Sequence, residues 1–159
     1  MAERGDEQRT GVVTGRYTAE FPAGTVVFLI GMRINRVRAV RQWLPVFRAM
    51  PRMLAELYQQ PELGFLGAQS WFGGRNVMVQ QYWASLDQLL AYARDRDAAH
   101  LPAWREFHRH VGTTPTVGVW HEAFAIRPED SHIIYHHMPR FGLAKATTAV
   151  RARGDTIEG

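Results

Sequence analysis

The chain contains no cysteine. That absence removes disulfide frameworks, thiolate metal sites and cysteine nucleophiles together. Lysine is almost missing too: Lys145 is the sole lysine among 19 Lys and Arg residues, so arginine carries the positive charge. No apolar run is long. The most continuous one, Val26 to Met32, falls well short of the ~20 residues a membrane-spanning helix needs. Met1 to Thr10 is polar and charged, without the apolar centre of a signal peptide, which sets the expectation of a cytoplasmic protein with no membrane partner. No Gly-x-Ser-x-Gly elbow is present and no glycine-rich phosphate loop follows a strand, which argues against a hydrolase and against nucleotide or flavin sites of Rossmann type. No two histidines flank a glutamate at zinc-protease spacing, so no protein metal site is expected.

What remains is an ordinary globular composition: 159 residues, 46% hydrophobic and 21% charged, enough for one domain with its own core. The net charge of +4 and the pI of about 10.0 raise the question of nucleic acid. Arg33, Arg36, Arg38 and Arg41 form the one dense basic cluster. Elsewhere acids interleave with bases, as in Arg94-Asp95-Arg96-Asp97, which breaks up any continuous phosphate-binding stripe. Nucleic acid is therefore disfavoured as a partner, and the cluster reads as a solvated surface.

Periodicity divides the chain into five regular segments and a strand-like tail. Val26 to Ile34 is β-rich, with Val26, Phe28, Ile30, Met32 and Ile34 on one face; the other face starts apolar at Val27 and Leu29 and turns polar at Arg33 and Asn35. From Trp43 to Tyr58 the spacing becomes helical, with Pro45 suited to a first turn and Pro51 expected to kink or break the helix. Phe65 to Phe72 and Asn76 to Trp83 read as a hairpin around Gly73-Gly74-Arg75. Asp87 to Val111 is helical again, bent or divided at Pro102, and Val117 to Ile126 is a further strand. Gly11 to Pro22 suits a short edge strand or arm, and His132 to His136 an extra short strand.

The order β-α-β-β-α-β predicts an α+β, ferredoxin-like fold with a four-stranded antiparallel sheet carrying two helices on one face. Residues 1–14 are expected to be a flexible segment, residues 15–145 the domain, and residues 146–159 a disordered tail. A first strand apolar on both faces implies that the second face of the sheet is covered, either by a second copy in a homodimer or by the C-terminal segment.

Few polar residues aim at the predicted interior. His100, Trp104, Phe107 and Val111 share one face of a continuous helix. An imidazole on such a face is an acid/base group, an axial haem ligand, or a core histidine bonded to a backbone carbonyl. His108 lies next round the helix and is the alternative ligand. Arg33 and Asn35 share a face of the first strand, while His121 and Glu122 sit on opposite faces of the last long one. An arginine meeting either across the sheet would bind an anion or form an ion pair at a dimer interface. His136 and His137, as strand neighbours, are expected to project to opposite sides. The density of aromatics (Trp71, Tyr82, Trp83, Tyr92, Trp104, Trp120) favours an apolar pocket for a flat hydrophobic ligand over plain core only when taken together.

The strand ending Gln81-Tyr82-Trp83, followed by Ser85, Leu89, Tyr92, His100 and Trp104, resembles the dimeric α/β-barrel superfamily. That superfamily includes antibiotic-biosynthesis-type monooxygenases, haem-degrading enzymes and aldoxime dehydratases. The blocks VVFLIGMRIN, WLPVFRAMPRML, ELGFLGAQSWFG, QYWAS and HLPAWREF are similar to a bacterial family labelled monooxygenase-like, across residues 15 to 145. The last block, Tyr135-His136-His137-Met138-Pro139, resembles a Tyr-x-Asn-Met-Pro motif with His137 in the asparagine position. The resemblance implies a monooxygenase-like enzyme acting on a hydrophobic small molecule, with His100, Arg33 and His121 as catalytic candidates. Asn35, Trp83, Phe107 and Tyr135 would line the pocket. It equally allows a haem enzyme held by His100 or His108 beside Trp104, and a non-catalytic ligand-binding module.

Overall fold

The computed structural model describes residues 11–95 and 114–152. In chain order the elements are β1 (Val12–Glu20), β2 (Thr25–Ile34), α1 (Val40–Gln59), a 3-10 turn (Pro61–Leu63), β3 (Phe65–Gly73), β4 (Asn76–Trp83), α2 (Leu86–Arg94), β5 (Val117–Ile126), a second 3-10 turn (Pro128–Asp130), β6 (Tyr135–Pro139), α3 (Gly142–Ala146) and β7 (Thr148–Arg151). They belong to two compact units, residues 24–125 and residues 1–23 with 126–159.

The larger unit is a four-stranded sheet in the order β3-β4-β2-β5. With β2-α1-β3-β4-α2-β5 along the chain, this is the expected ferredoxin-like α+β arrangement. The register of β2 on β4 runs from Val26↔Trp83 to Arg33↔Asn76, so Val26, Phe28, Ile30 and Met32 share a face with Trp83, Gln81, Val79 and Val77. That face meets the helices. Val26, Phe65 and Trp83 from the sheet enclose one cluster with Met53 and Leu57 of α1 and Leu89 and Tyr92 of α2. Met32 and Val117 form a second with Trp43, Val46 and Phe47. Leu57 and Trp83 are wholly buried; each such side chain contributes about 1.5–3 kcal/mol through the apolar surface it removes from water. Aromatic edges organise the first cluster: Tyr58 on Phe65 at 5.0 Å and Phe65 on Trp83 at 5.7 Å, with Tyr92 tilted against Trp83 at 5.6 Å.

Local chemistry fixes the ends of these elements. Helix α1 starts at Val40, so Pro45 and Pro51 both lie inside it. Each proline withholds one i→i−4 bond, yet the helix continues through Pro51, and the expected break there does not occur. The amphipathic packing of its buried side, Met53 and Leu57 with Met50 and Leu54, outweighs the missing bonds. The β3–β4 link is two residues, Gly74 and Arg75, since Gly73 already pairs with Asn76. Gly74 carries the positive φ (57°) that a two-residue hairpin turn asks of its first residue. Ser85 caps α2: its Oγ accepts from the Gln88 N–H at 3.2 Å and donates to Gln88 Oε1 at 3.0 Å. Gly64, at φ 87°, ends the first 3-10 turn, and a Cβ there would collide with the Gln88 side chain. Helix α2 runs to Arg94, with Asp95 extended; the division expected at Pro102 lies outside the described residues.

The smaller unit is a three-stranded sheet in the order β6-β1-β7. Here the sequence reading needs correction. The segment expected as a short edge strand or arm is a nine-residue central strand, β1. The tail expected to be disordered from residue 146 contains β7, which pairs with β1 from Tyr17↔Arg151 to Glu20↔Thr148. Arg151 Nη1 also donates to Thr14 O at 2.6 Å. The extra strand is shifted to Tyr135–Pro139. Tyr17 is buried, stacks on Tyr135 at 4.8 Å and donates its hydroxyl to Pro139 O. Phe21 and, from α3, Leu143 and Ala144 are buried in this unit as well.

Two predictions follow from the larger unit's packing. Gly64→Ala forces a non-glycine residue to positive φ and displaces Gln88 from its cap, at a cost of about 1–3 kcal/mol; urea unfolding should show a lower midpoint with an unchanged slope. Tyr92, buried and donating to Glu56 Oε2 at 2.8 Å, has its phenol pushed well above the ordinary value, first by burial and then by Glu56. The folded state therefore holds a proton that the unfolded chain releases. This contribution is fully present below about pH 10 and is lost as pH rises above that. Wild type should lose stability through this range, and Tyr92→Phe should flatten the loss in a series of denaturation curves.

Candidate functional site

The helix-facing side of the four-stranded sheet brings together the polar groups best placed for chemistry. Directly opposite pairs put Ala68 of β3, Gln81 of β4 and Phe28 of β2 in one row. Beyond Phe28, on β5, stands His121, its ring tilted against Phe28 at a centroid distance of 5.9 Å. Gln81 and His121 thus stand on the two strands that flank β2, with Phe28 on the strand between them.

Gln81 is 1% exposed, the most deeply buried polar side chain of β4. Its Oε1 accepts from the indole Nε1–H of Trp83 at 2.9 Å. Because an indole N–H can only donate, the atom facing it must be the amide oxygen, and the orientation of the carboxamide is settled. The Nε2 fork is then directed away from Trp83, and it is buried without a hydrogen-bond partner among the described residues. A buried, unpaired amide donor costs about 1–3 kcal/mol. Such groups are rare in folded proteins, and each one calls for an explanation. His121, on β5, is exposed.

The opposite side of the sheet holds Arg33 and Asn35. Arg33 pairs with Asn76 across β2–β4, and its Nη1 donates to Asn76 Oδ1 at 3.3 Å. Asn35 Nδ2 donates to Pro115 O at 3.0 Å. Both are exposed. The anticipated meeting of Arg33 with His121 does not take place, because His121 shares its face with Phe28 and Arg33 is an odd number of residues away on the same strand. Nor does Arg33 reach Glu122. Trp120 lies over Gly31, with its indole within 2.8 Å of where a Cβ would stand, while Arg33 neighbours Gly118. Gly31 is thus a position where the absence of a side chain admits an aromatic ring.

Of the remaining candidates, Trp83 is a wholly buried core residue, and it acts on the site only through its bond to Gln81. Tyr135 belongs to the smaller unit, half-buried against Tyr17. His100, Trp104, Phe107 and His108 lie outside the described residues. His136 and His137 do not project to opposite sides. Thr14 and Gly15 together oppose His137, which adopts a positive φ of 51°, and the two imidazoles stack at 4.1 Å. Gly15 N–H donates to His137 Nδ1 at 3.2 Å. Positive φ is a conformation that asparagine and histidine enter more readily than most residues, which accounts for either at this position. Among the described residues no group of three or more His, Asp or Glu could hold a metal ion.

Gln81 was missed as a candidate by sequence reasoning, although a signal existed. Val77, Val79 and Trp83 alternate along the apolar face of β4, and Gln81 interrupts them. A lone polar residue in an apolar alternation is the mark of a buried group with a specific partner.

A family model described as Monooxygenase af470-like matches residues 25–143. Among solved structures, an aldoxime dehydratase in complex with butyraldoxime superposes with a TM-score of 0.65 at 17% identity, covering 79% of this chain and 38% of its own. The chain thus spans well under half of that enzyme, and the likeness is one of fold. SnoaB, a cofactor-independent oxygenase from Streptomyces nogalater, gives a TM-score of 0.47 at 16% identity, covering 66% of this chain and 95% of its own. A dimeric protein of ferredoxin-like fold from Bacteroides fragilis gives 0.45 at 15% identity, covering 65% and 100%. No curated protein sequence matches the chain.

Proposed function

Because the chain belongs to the Monooxygenase af470-like family, we propose that it is a monooxygenase-like enzyme. It takes a flat hydrophobic or aromatic small molecule against the helix-facing side of its four-stranded sheet. The observation that carries this reading is the row Gln81–Phe28–His121: an apolar ring as floor, an unpaired buried donor at one end and an imidazole at the other. In the cofactor-free form of the reaction, an electron-rich substrate itself reduces dioxygen once a base has removed its proton. The protein supplies the base and the orientation. His121 is the base available on the described face; Phe28 supports the ring. Arg33, on the opposite side, has no part in this arrangement.

In the haem alternative, His100 or His108, both outside the described residues, would hold the group, and no described side chain favours it. Where a haem is held, it supplies the oxygen- or oxime-directed chemistry, and this chain's part is the ligand and the apolar walls.

The protein is proposed to act as a homodimer. β5 ends the sheet, and Val119, Trp120 and Phe124 are exposed along it, with Phe124 at 51%. A terminal strand carrying large exposed apolar side chains on both faces is suited to a self-complementary partner. Among the described residues no helix is long and apolar enough to cross a membrane.

Three measurements test these proposals. Oxygen uptake with 1,5-dihydroxynaphthalene should be accelerated by the wild-type protein and should fall about 100-fold in His121→Ala; uptake unchanged by the protein removes the oxygenase reading. Addition of haemin should leave no sharp Soret band, whereas a band that disappears in His100→Ala would replace the cofactor-free form with the haem one. Light scattering should give twice the chain mass for wild type and a single chain mass for Phe124→Asp.

A further inference from the structure

The amide of Gln81 says something about the ligand that the family description does not. Trp83 fixes Oε1 inward at 2.9 Å, so the group left to face a ligand is an N–H donor and never an acceptor. Its neighbours on that face, Phe28 on β2 and Ala68 on β3, are apolar, so neither offers an alternative hydrogen-bonding group at that end of the row. We propose that Gln81 is a specificity-determining residue whose Nε2 donates to a carbonyl or phenolate oxygen of a flat aromatic ligand lying over Phe28. The substrate class is therefore an oxygen-bearing polycycle, with its oxygen at the β4 end and the rest of the ring system extending towards His121. A hydrocarbon of the same shape leaves the amide unpaired, and a ligand presenting only an N–H at that end meets donor with donor. Trp83 is a positioning residue in this scheme: it holds the amide the right way round without touching the ligand.

The inference rests on the site proposed above, and the test separates the two. The probes are fluorenone and fluorene, matched in shape and differing by the ketone oxygen. Binding is followed by tryptophan fluorescence and, independently, by saturation-transfer NMR. Wild type should bind fluorenone about tenfold more tightly than fluorene, as expected for one added hydrogen bond to an otherwise unpaired buried donor. Gln81→Met, similar in length and without a donor, should erase the preference while leaving fluorene affinity unchanged. Should Gln81→Met fail to fold, Gln81→Glu at pH 9 keeps the acceptor for Trp83, removes the donor and should likewise erase or invert the preference. Fluorenone and fluorene binding equally to wild type, or a preference that survives both substitutions, overturns the role of Gln81 while leaving the pocket intact. Failure of both probes to bind wild type overturns the pocket reading itself, and this inference with it.

Discussion

The hydrogen bond from Trp83 to Gln81 is the interaction on which the rest of the larger unit turns. Trp83 is wholly buried where β4 meets both helices, and an indole placed there must find an acceptor for its N–H. Two residues back on the same strand, and therefore on the same face, Gln81 supplies it. The aromatic edges from Tyr58 through Phe65 to Tyr92 then pack around an indole that cannot rotate away. The same bond creates the functional candidate. By consuming the amide oxygen it leaves an amide N–H2 buried beside Phe28 with no hydrogen-bond partner among the described residues.

The two sides of the sheet divide the remaining polar residues by parity alone. His121 falls with Phe28 on the helix side, and Arg33 falls with Gly118 and Asn76 on the other. A strand admits no compromise here, since a residue shifted by one changes sides. On the side of Arg33, Gly31 leaves room for the Trp120 indole against β2, and Arg33 neighbours Gly118. The arginine's partner is accordingly a neutral amide, Asn76, rather than a carboxylate.

Much of the fold was legible because it is written in short-range periodicity. The alternation of Val26, Phe28, Ile30, Met32 and Ile34, the helical spacing from Trp43 to Tyr58 and the glycine link near Gly74 each report on residues close in the chain, and the structure places each element there. The smaller unit was less legible. β1 pairs with β6 and β7, more than 110 residues further on, and no local pattern announces such a partner. The strand β7 is four residues of small and basic character, ordered by pairing with β1 and by the Arg151 contact to Thr14 rather than by its own propensity. The stacked His136 and His137 escape strand alternation for a related reason: the bulge at Thr14 and Gly15 lies on the partner strand, out of view of their own sequence.

The sequence by itself determined the order of elements in the larger unit, the apolar faces of its strands, the absence of thiol chemistry and the family resemblance, because all of these depend on residue type and near-neighbour spacing. Only the tertiary structure decided that His121 and Arg33 stand on opposite sides, that β7 is a strand, and that Gln81 is the buried group with a donor to spare. Those outcomes depend on which strands become neighbours, and on which of an amide's two ends another side chain has already taken.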